Sequence, residues 1–326
     1  MSSNILIVDF NFYSMTRTPI LILIIFLTIA GSGWAQEKVQ VDPSAVNFIL
    51  MGDWGRNGAD HQKEVAKQMG KTATEASVDF IIAAGDNFYP EGVVSEFDPL
   101  WKYSFEDIYT DFSLQWDWHP VLGNHDYGSN PQAQVAYSRI SRRWQMPARY
   151  YTKFVDVGSS DTQALFIFID TTPLIKGYYK NDFHRVHNQD STAQKKWIEE
   201  TLRQAPPTVK WKFVVGHHPM YTGGSRTENH DTKSIRQSLQ PLFEKYKVDA
   251  YLAGHEHSLQ HMIASNRVHH FISGAASERT PARMLPISKF AQSQYGFMLF
   301  SVYPQMVRVQ VIDLEGKLLY TTELKK

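Results

Sequence analysis

A chain of 326 residues, 43% hydrophobic and 20% charged, has ample material for a core and lacks the composition of a disordered protein. Lysine plus arginine equal aspartate plus glutamate at 33 each, and no basic run occurs, which argues against a nucleic-acid partner or an anionic membrane surface. There is no cysteine, so disulfides and a lipid-anchored cysteine are excluded.

The chain opens with an apolar run at residues 19–30 (PILILIIFLTIA), too short to span a bilayer. Arg17 precedes it and Gly33-Trp34-Ala35 follows, the layout of a secretory signal peptide cleaved after Ala35. Residues 1–14 read as an upstream extension, with Met15 as the alternative start. The expectation is an exported protein, periplasmic or secreted, with no membrane span after cleavage. Export without cysteines points to a bacterial periplasm. Residues 36–326 carry no repeat, low-complexity block or proline-rich linker and read as one domain.

Along that domain, 46–51 is a strand ending in Gly52-Asp53-Trp54-Gly55. Residues 60–77 follow as a helix with Val65, Met69, Thr72 and Ala76 on one face. The apolar strand 79–84 ends in Gly85-Asp86-Asn87-Phe88-Tyr89, and residues 97–114 are helical in part. Residues 118–122 lead into Gly123-Asn124-His125-Asp126. Two strands, 150–157 and 164–170, precede a long polar and aromatic loop, 172–190, with Tyr178, Tyr179, His184 and His187; loops of this length are often lids. A helix over 191–204 carries Trp197, Ile198, Thr201 and Leu202, and the strand 211–215 ends in Gly216-His217-His218-Pro219. A glycine-rich loop (223–231) precedes a helix with Ile235, Leu239, Leu242, Phe243 and Tyr246 at helical spacing. The strand 248–253 ends in Gly254-His255-Glu256-His257, and strands at 268–273, 295–302, 306–313 and 317–323 follow. Strand–helix alternation followed by antiparallel strands predicts two packed sheets flanked by helices.

The chemistry concentrates at five strand ends, each a glycine followed by aspartate, asparagine or histidine. A single Gly-Asp turn is a common loop. Five of them, all metal-competent and expected at the same end of a sheet, are hard to explain as turns. Eight of the 13 histidines fall between His217 and His270, and His255 and His257 lie two apart, so on extended chain they face one side.

These five blocks resemble the signature of the calcineurin-like metallophosphoesterases, and within them the small, tartrate-resistant type of purple acid phosphatase. The resemblance spans about residue 46 to 313. Glycine stands at position 55, where the broader superfamily usually has a metal-binding histidine, and Tyr89 supplies a phenolate in its place. It implies an α/β fold, a four-layer sandwich of two mixed β-sheets flanked by helices, and a binuclear metal centre. One ion would take Asp53, Asp86, Tyr89 and His257; the other Asp86, Asn124, His217 and His255. Charge counting agrees: two carboxylates and a phenolate suit iron(III), whereas the second set suits a divalent ion such as zinc, iron or manganese.

The implied activity is acid phosphatase action on small phosphate esters, by metal-activated hydroxide. His125 is the expected general acid, and His230, in a loop about three residues longer than in the mammalian type, is the nearest match to a second catalytic histidine. His218 is expected only to wall the pocket; Asp126 and Glu256 either orient ligands or face water; His261, His269 and His270 are expected to be structural. Two other readings stay open: a phosphodiesterase of the same superfamily acting on nucleotides or phospholipid head groups, and a non-catalytic metal- or phosphate-binding protein.

Overall fold

In the computed structural model, which describes residues 38–158, 161–180, 182–264 and 267–326, the site grows out of the ends of two sheets. The leader expected at residues 1–35 lies outside the described residues. Apolar β1 (Val46–Met51) feeds α1 (Gln62–Ala76), which buries Val65, Met69, Thr72 and Ala76 as the periodicity requires. Then come β2 (Phe80–Ala83), β3 (Asp117–Pro120), the short α2 (Pro131–Tyr137), β4 (Tyr151–Asp156) and β5 (Gln163–Phe168). Helix α3 (Ser191–Arg203) is capped by Asp190, whose carboxylate accepts the N–H groups of Thr192 and Ala193 at 2.9 Å each; such a cap stabilises by about 1 kcal/mol. Strand β6 (Val209–Val215), α4 (His230–Lys245) and β7 (Ala250–Ala253) complete the alternating part. The chain finishes in β8 (Leu259–Ile263), β9 (His269–Ser273), β10 (Ser288–Gln292), β11 (Gly296–Val302), β12 (Met306–Asp313) and β13 (Leu318–Lys325).

One sheet has the order β13-β12-β11-β1-β2-β3, the other β10-β8-β9-β7-β6-β5-β4. Both are mixed. Strands β1, β2 and β3 run parallel with β11 antiparallel to β1, and β5, β6, β7 and β9 run parallel with antiparallel strands at both edges. The sheets meet through phenylalanines. Phe48 stacks on its register neighbours Phe80 and Phe300, and meets Phe166 and Phe213 of the other sheet edge-on at 5.3 and 6.0 Å. Helix α1 packs on the first sheet, and α4 on the second through Phe243 against Tyr251. The four-layer arrangement expected from the sequence is the one observed.

Three elements were not foreseen. Strand β8 follows the Gly-His-Glu-His block directly and buries Gln260 and His261, so its apolar pattern is masked by polar residues. Strand β10 is short and half-exposed, and α2 is only 7 residues long. Within 172–190 the described residues form short 3₁₀ turns at Thr172–Leu174, Lys176–Lys180 and Val186–Asn188. Helix α4 starts at His230, so His230 is a helix-terminal residue and not, as expected, a loop residue.

Candidate metal centre

The five strand ends do not belong to one sheet, contrary to expectation. Those of β1, β2 and β3 carry Asp53, Asp86 and Asn124, and those of β6 and β7, in the opposite sheet, carry His217, His255 and His257. Parallel direction within each sheet puts all five at carboxyl ends, where open α/β sheets bind ligands. Interlocking loops join the two sets. The Asp53 carboxylate accepts the His255 N–H at 2.9 and 3.1 Å, and the Asp86 carboxylate accepts the His125 N–H at 2.8 Å. Gly123 cannot be larger, since a Cβ there would lie 2.1 Å from Asp86 Oδ1.

Six of the seven expected ligands converge on one another through short contacts. The Tyr89 hydroxyl lies 3.2 Å from each of Asp53 Oδ1, Asp86 Oδ2 and His257 Nε2. On the other side, His217 Nε2 is 3.3 Å from Asp86 Oδ2 and 3.2 Å from His255 Nδ1. The same Asp86 oxygen therefore faces both groups of donors. Single atoms of Asp53, Asp86 and His217 all fall within 4.8 Å of one another. The seventh, Asn124, presents a buried side-chain oxygen that no group among the described residues bonds. An amide oxygen buried without a partner is costly, and a cation is one partner that would satisfy it.

Each histidine is turned by its outer nitrogen. His217 Nδ1–H donates to the Ala84 carbonyl at 2.8 Å, and His255 Nε2–H donates to the Asp231 carboxylate at 3.0 Å. Glu278 Oε2 lies 3.3 Å from His257 Nδ1. The inner nitrogens are left facing the centre, as metal-binding histidines require. His218 differs: Thr171 Oγ1 occupies its Nδ1 at 2.8 Å and Tyr178 OH its Nε2 at 3.1 Å, so it walls the pocket.

The field at the centre favours positive charge. Burial works to lower the pKa of His217, but Asp86 and Asp53 overcome it and raise it to about 9. Burial and the two carboxylates push the Tyr89 phenol well above its ordinary range, with only Arg56 opposing. Such a phenol gives up its proton only to a strong cation. Burial drives His255 and His218 well below their usual range, so both stay neutral. Residue types, tautomers and the unpartnered Asn124 oxygen all fit a pair of cations.

Position 55 has no room for a side chain. A Cβ at Gly55 would lie 1.9 Å from the Asn87 carbonyl, and Tyr89 N–H donates to the Gly55 carbonyl at 2.9 Å. The loop bearing Tyr89 is thus docked on the space a side chain at position 55 would need. Buried Asp126 holds this loop, accepting N–H groups from Asn87, Phe88 and Gly123 and an amide hydrogen from Gln134. Asp126 and Glu256 are both buried, so neither faces water.

His125 is half-buried beside the Tyr89 ring, at 4.6 Å, with Nδ1–H donating to the Pro90 carbonyl at 2.6 Å. Its Nε2 is the nitrogen left for a ligand. His230 sits at the rim, exposed, at the start of α4, its ring against Gly177 and edge-on to Tyr178 at 5.9 Å. His184 stacks on Tyr178 at 3.7 Å; burial lowers its pKa to about 4, aided by the nearby charges of His125 and His230. His261 and His269 bond each other at 3.0 Å on β8 and β9 and take no part in these donor contacts.

Four contributors were not foreseen: Asp231, Arg56, Ser277 and Glu278. Ser277 Oγ–H donates to the Asp53 carbonyl at 2.6 Å. The signal that could mark Asp231 is an acid in the first turn of a helix, which the glycine-rich sequence before it disguises as loop.

The family model of the calcineurin-like phosphoesterases matches residues 46–259. Purple acid phosphatase 17 of Arabidopsis thaliana is 34% identical, covering 94% of each chain. Tartrate-resistant acid phosphatase type 5 of Oryctolagus cuniculus is 33% identical, over 86% of this chain and 91% of its own. Among solved structures, GAP50, the anchor in the inner membrane complex of Plasmodium, superposes with a TM-score of 0.76 at 25% identity, covering 86% of this chain and 88% of that one. These plant and animal relatives lend no support to the bacterial source expected from the absent cysteines.

Proposed function

The chain belongs to the calcineurin-like phosphoesterases and, among them, to the purple acid phosphatases, metal-dependent phosphoric monoester hydrolases; from that premise we propose an exported enzyme that hydrolyses small phosphate monoesters at a mixed-valence pair of ions. The observation carrying this reading is the convergence of Asp53, Asp86, Tyr89, His217, His255 and His257, and the buried side-chain oxygen of Asn124 without a hydrogen-bond partner adds to it. Asp53, Asp86, Tyr89 and His257 would hold iron(III); Asp86, Asn124, His217 and His255 would hold zinc, iron(II) or manganese. When bound, two such ions polarise phosphoryl oxygens and activate water.

The remaining work falls to the chain. His125, with Nδ1–H fixed on Pro90, offers Nε2 to carry a proton to the departing alcohol. His230 at the rim, one residue before the Asp231 that orients His255, is the second candidate for contact with substrate. Tyr178, Tyr179, His184 and His187 in the 172–190 segment shape access. Shortening that segment changes relative rates among monoesters, and unchanged ratios would remove it from the reading.

The test is elemental analysis of purified protein together with its visible spectrum. Two ions per chain and a phenolate-to-iron(III) band lost in Tyr89→Phe are expected; one ion or none would refute the proposal. Comparing a nitrophenyl monoester with its bis-ester separates monoesterase from diesterase action. GAP50 is described as an anchor, and a non-catalytic role here would be indicated by a loaded centre without hydrolysis. Export, with residues 36–326 as the mature domain, is tested by sequencing the amino terminus of the secreted product.

A further inference from the structure

Arg56 takes no place among the donors, yet it lies on one of them. Its guanidinium carbon is 3.7 Å from the centroid of the Tyr89 ring. The group is held on two sides: Nη2 is 2.7 Å from Glu278 Oε2, and Nε–H donates to Ser277 Oγ at 3.2 Å. Glu278 Oε2 is in turn 3.3 Å from His257 Nδ1, and Ser277 bonds the Asp53 carbonyl. One arginine and its two anchors thus touch Tyr89, His257 and Asp53. The Arg56 side chain is 20% exposed, so solvent screens its charge only in part.

We propose that Arg56 is a charge-tuning residue for Tyr89: its guanidinium, lying on the ring face, sets the energy at which the phenolate gives up electron density to the ion. The inference rests on reading Tyr89 as a phenolate ligand of iron(III). A cation over an aromatic face attracts the ring's π-electrons, and more so when the ring carries a phenolate's negative charge. An ion held by the phenol oxygen would feel the guanidinium less than the ring beneath it does. The donor level therefore falls more than the acceptor level, and the charge-transfer gap widens. A phenolate held this way also donates less to iron(III), which makes reduction to iron(II) easier. Glu278 fixes the guanidinium on the ring and places negative charge beside His257, a contact that raises ligand basicity.

The experiment compares holoenzyme with Arg56→Gln, Arg56→Lys and Glu278→Gln, using Tyr89→Phe as the control. It reads the wavelength of the visible band per bound iron and the midpoint potential of the one-electron iron couple. Arg56→Gln is expected to move the band to longer wavelength and lower the potential, with Arg56→Lys between it and the wild type. Glu278→Gln is expected to shift the band the same way by less. If Arg56→Gln does not fold, the other two variants decide. A variant that loses iron but keeps its wavelength per iron means Arg56 only holds the loop, and the proposal is overturned; so does an unmoved band at full iron content. A wild type without a band, or a band surviving Tyr89→Phe, removes the underlying reading of Tyr89 and this proposal with it.

Discussion

His119, on β3, sets the fold against the acid conditions in which a phosphatase of this family works. Its ring lies between the sheets, 5.6 Å from Phe80 and 5.6 Å from Phe168, only 5% exposed, and among the described residues neither ring nitrogen makes a well-formed hydrogen bond, the Gln145 backbone only weakly opposing the effect of burial. Burial, assisted by the Lys153 charge, lowers its pKa from 6.5 to about 3. Unfolded chain then binds more protons than folded chain between these values, so stability rises with pH. The contribution is complete above 6.5 and is lost as pH falls from 6.5 toward 3. At pH 5, about 1.5 units below the unfolded pKa, the loss is about 2 kcal/mol. His261 and His270, also lowered to about 3 by burial, act in the same sense, whereas Asp170, raised by burial to about 6, opposes them. A single-site comparison isolates one term. Urea unfolding of wild type and His119→Leu at pH 8 and pH 5 should show the variant losing about 2 kcal/mol less on acidification. Equal losses would mean that the ring takes up its proton inside the fold, and the argument from burial would fail.

Asp231→Asn should weaken the His255 site about 10–100-fold in a chelator titration while leaving the visible band intact. Loss of both ions together would contradict the division of ligands. In Asn124→Ala the metal-free protein should be no less stable, because an unpartnered buried amide oxygen, costing about 1–3 kcal/mol, has gone; retention of the divalent ion should fall. A less stable metal-free variant, measured by denaturant, would show that Asn124 is structural. His125→Ala should slow hydrolysis of alkyl phosphates by about 10²–10⁴-fold, and of nitrophenyl phosphate far less, since that leaving group needs little proton assistance. Equal effects on both substrates would exclude His125 as the proton donor.

What was legible in the sequence was local. Five of the donors directly follow the glycine that ends a strand, Tyr89 and His257 come within four residues of one, and strands such as Phe80–Ala83 are short and wholly apolar, so both strand and turn are written in nearby residues. Less legible was anything that depends on two distant segments meeting. That β1 and β2 lie in one sheet and β6 and β7 in the other follows from the insertion of β11 beside β1, a pairing between residues some 250 positions apart. Asp231 and Glu278 look like ordinary surface acids until α4 and the segment after β9 carry them to the outer nitrogens of His255 and His257. Strand β8 was hidden because Gln260 and His261 find hydrogen-bond partners inside the fold, buried Thr222 and Ser258 for one, half-buried Tyr320 and His269 for the other.

The backbone at the centre explains why such distant partners matter. Asp53, Asp86 and His255 have φ of 60°, 47° and 70°, a left-handed conformation that a residue with a Cβ adopts at a cost of about 1–3 kcal/mol. Aspartate and histidine are among the residues that bear it most readily. In each case the turn bends the chain back over its own strand end, which is what brings a short side chain into the space between the sheets. Much of the compensation crosses from loop to loop: Asp53 accepts the His255 N–H, Asp86 accepts the His125 N–H, and Asp126 accepts the Asn87 and Phe88 N–H groups as well as that of Gly123 in its own loop. The donors are therefore aimed by the protein itself, through bonds that do not involve the ions. A centre organised in this way would accept cations without the loops around it having to be rebuilt.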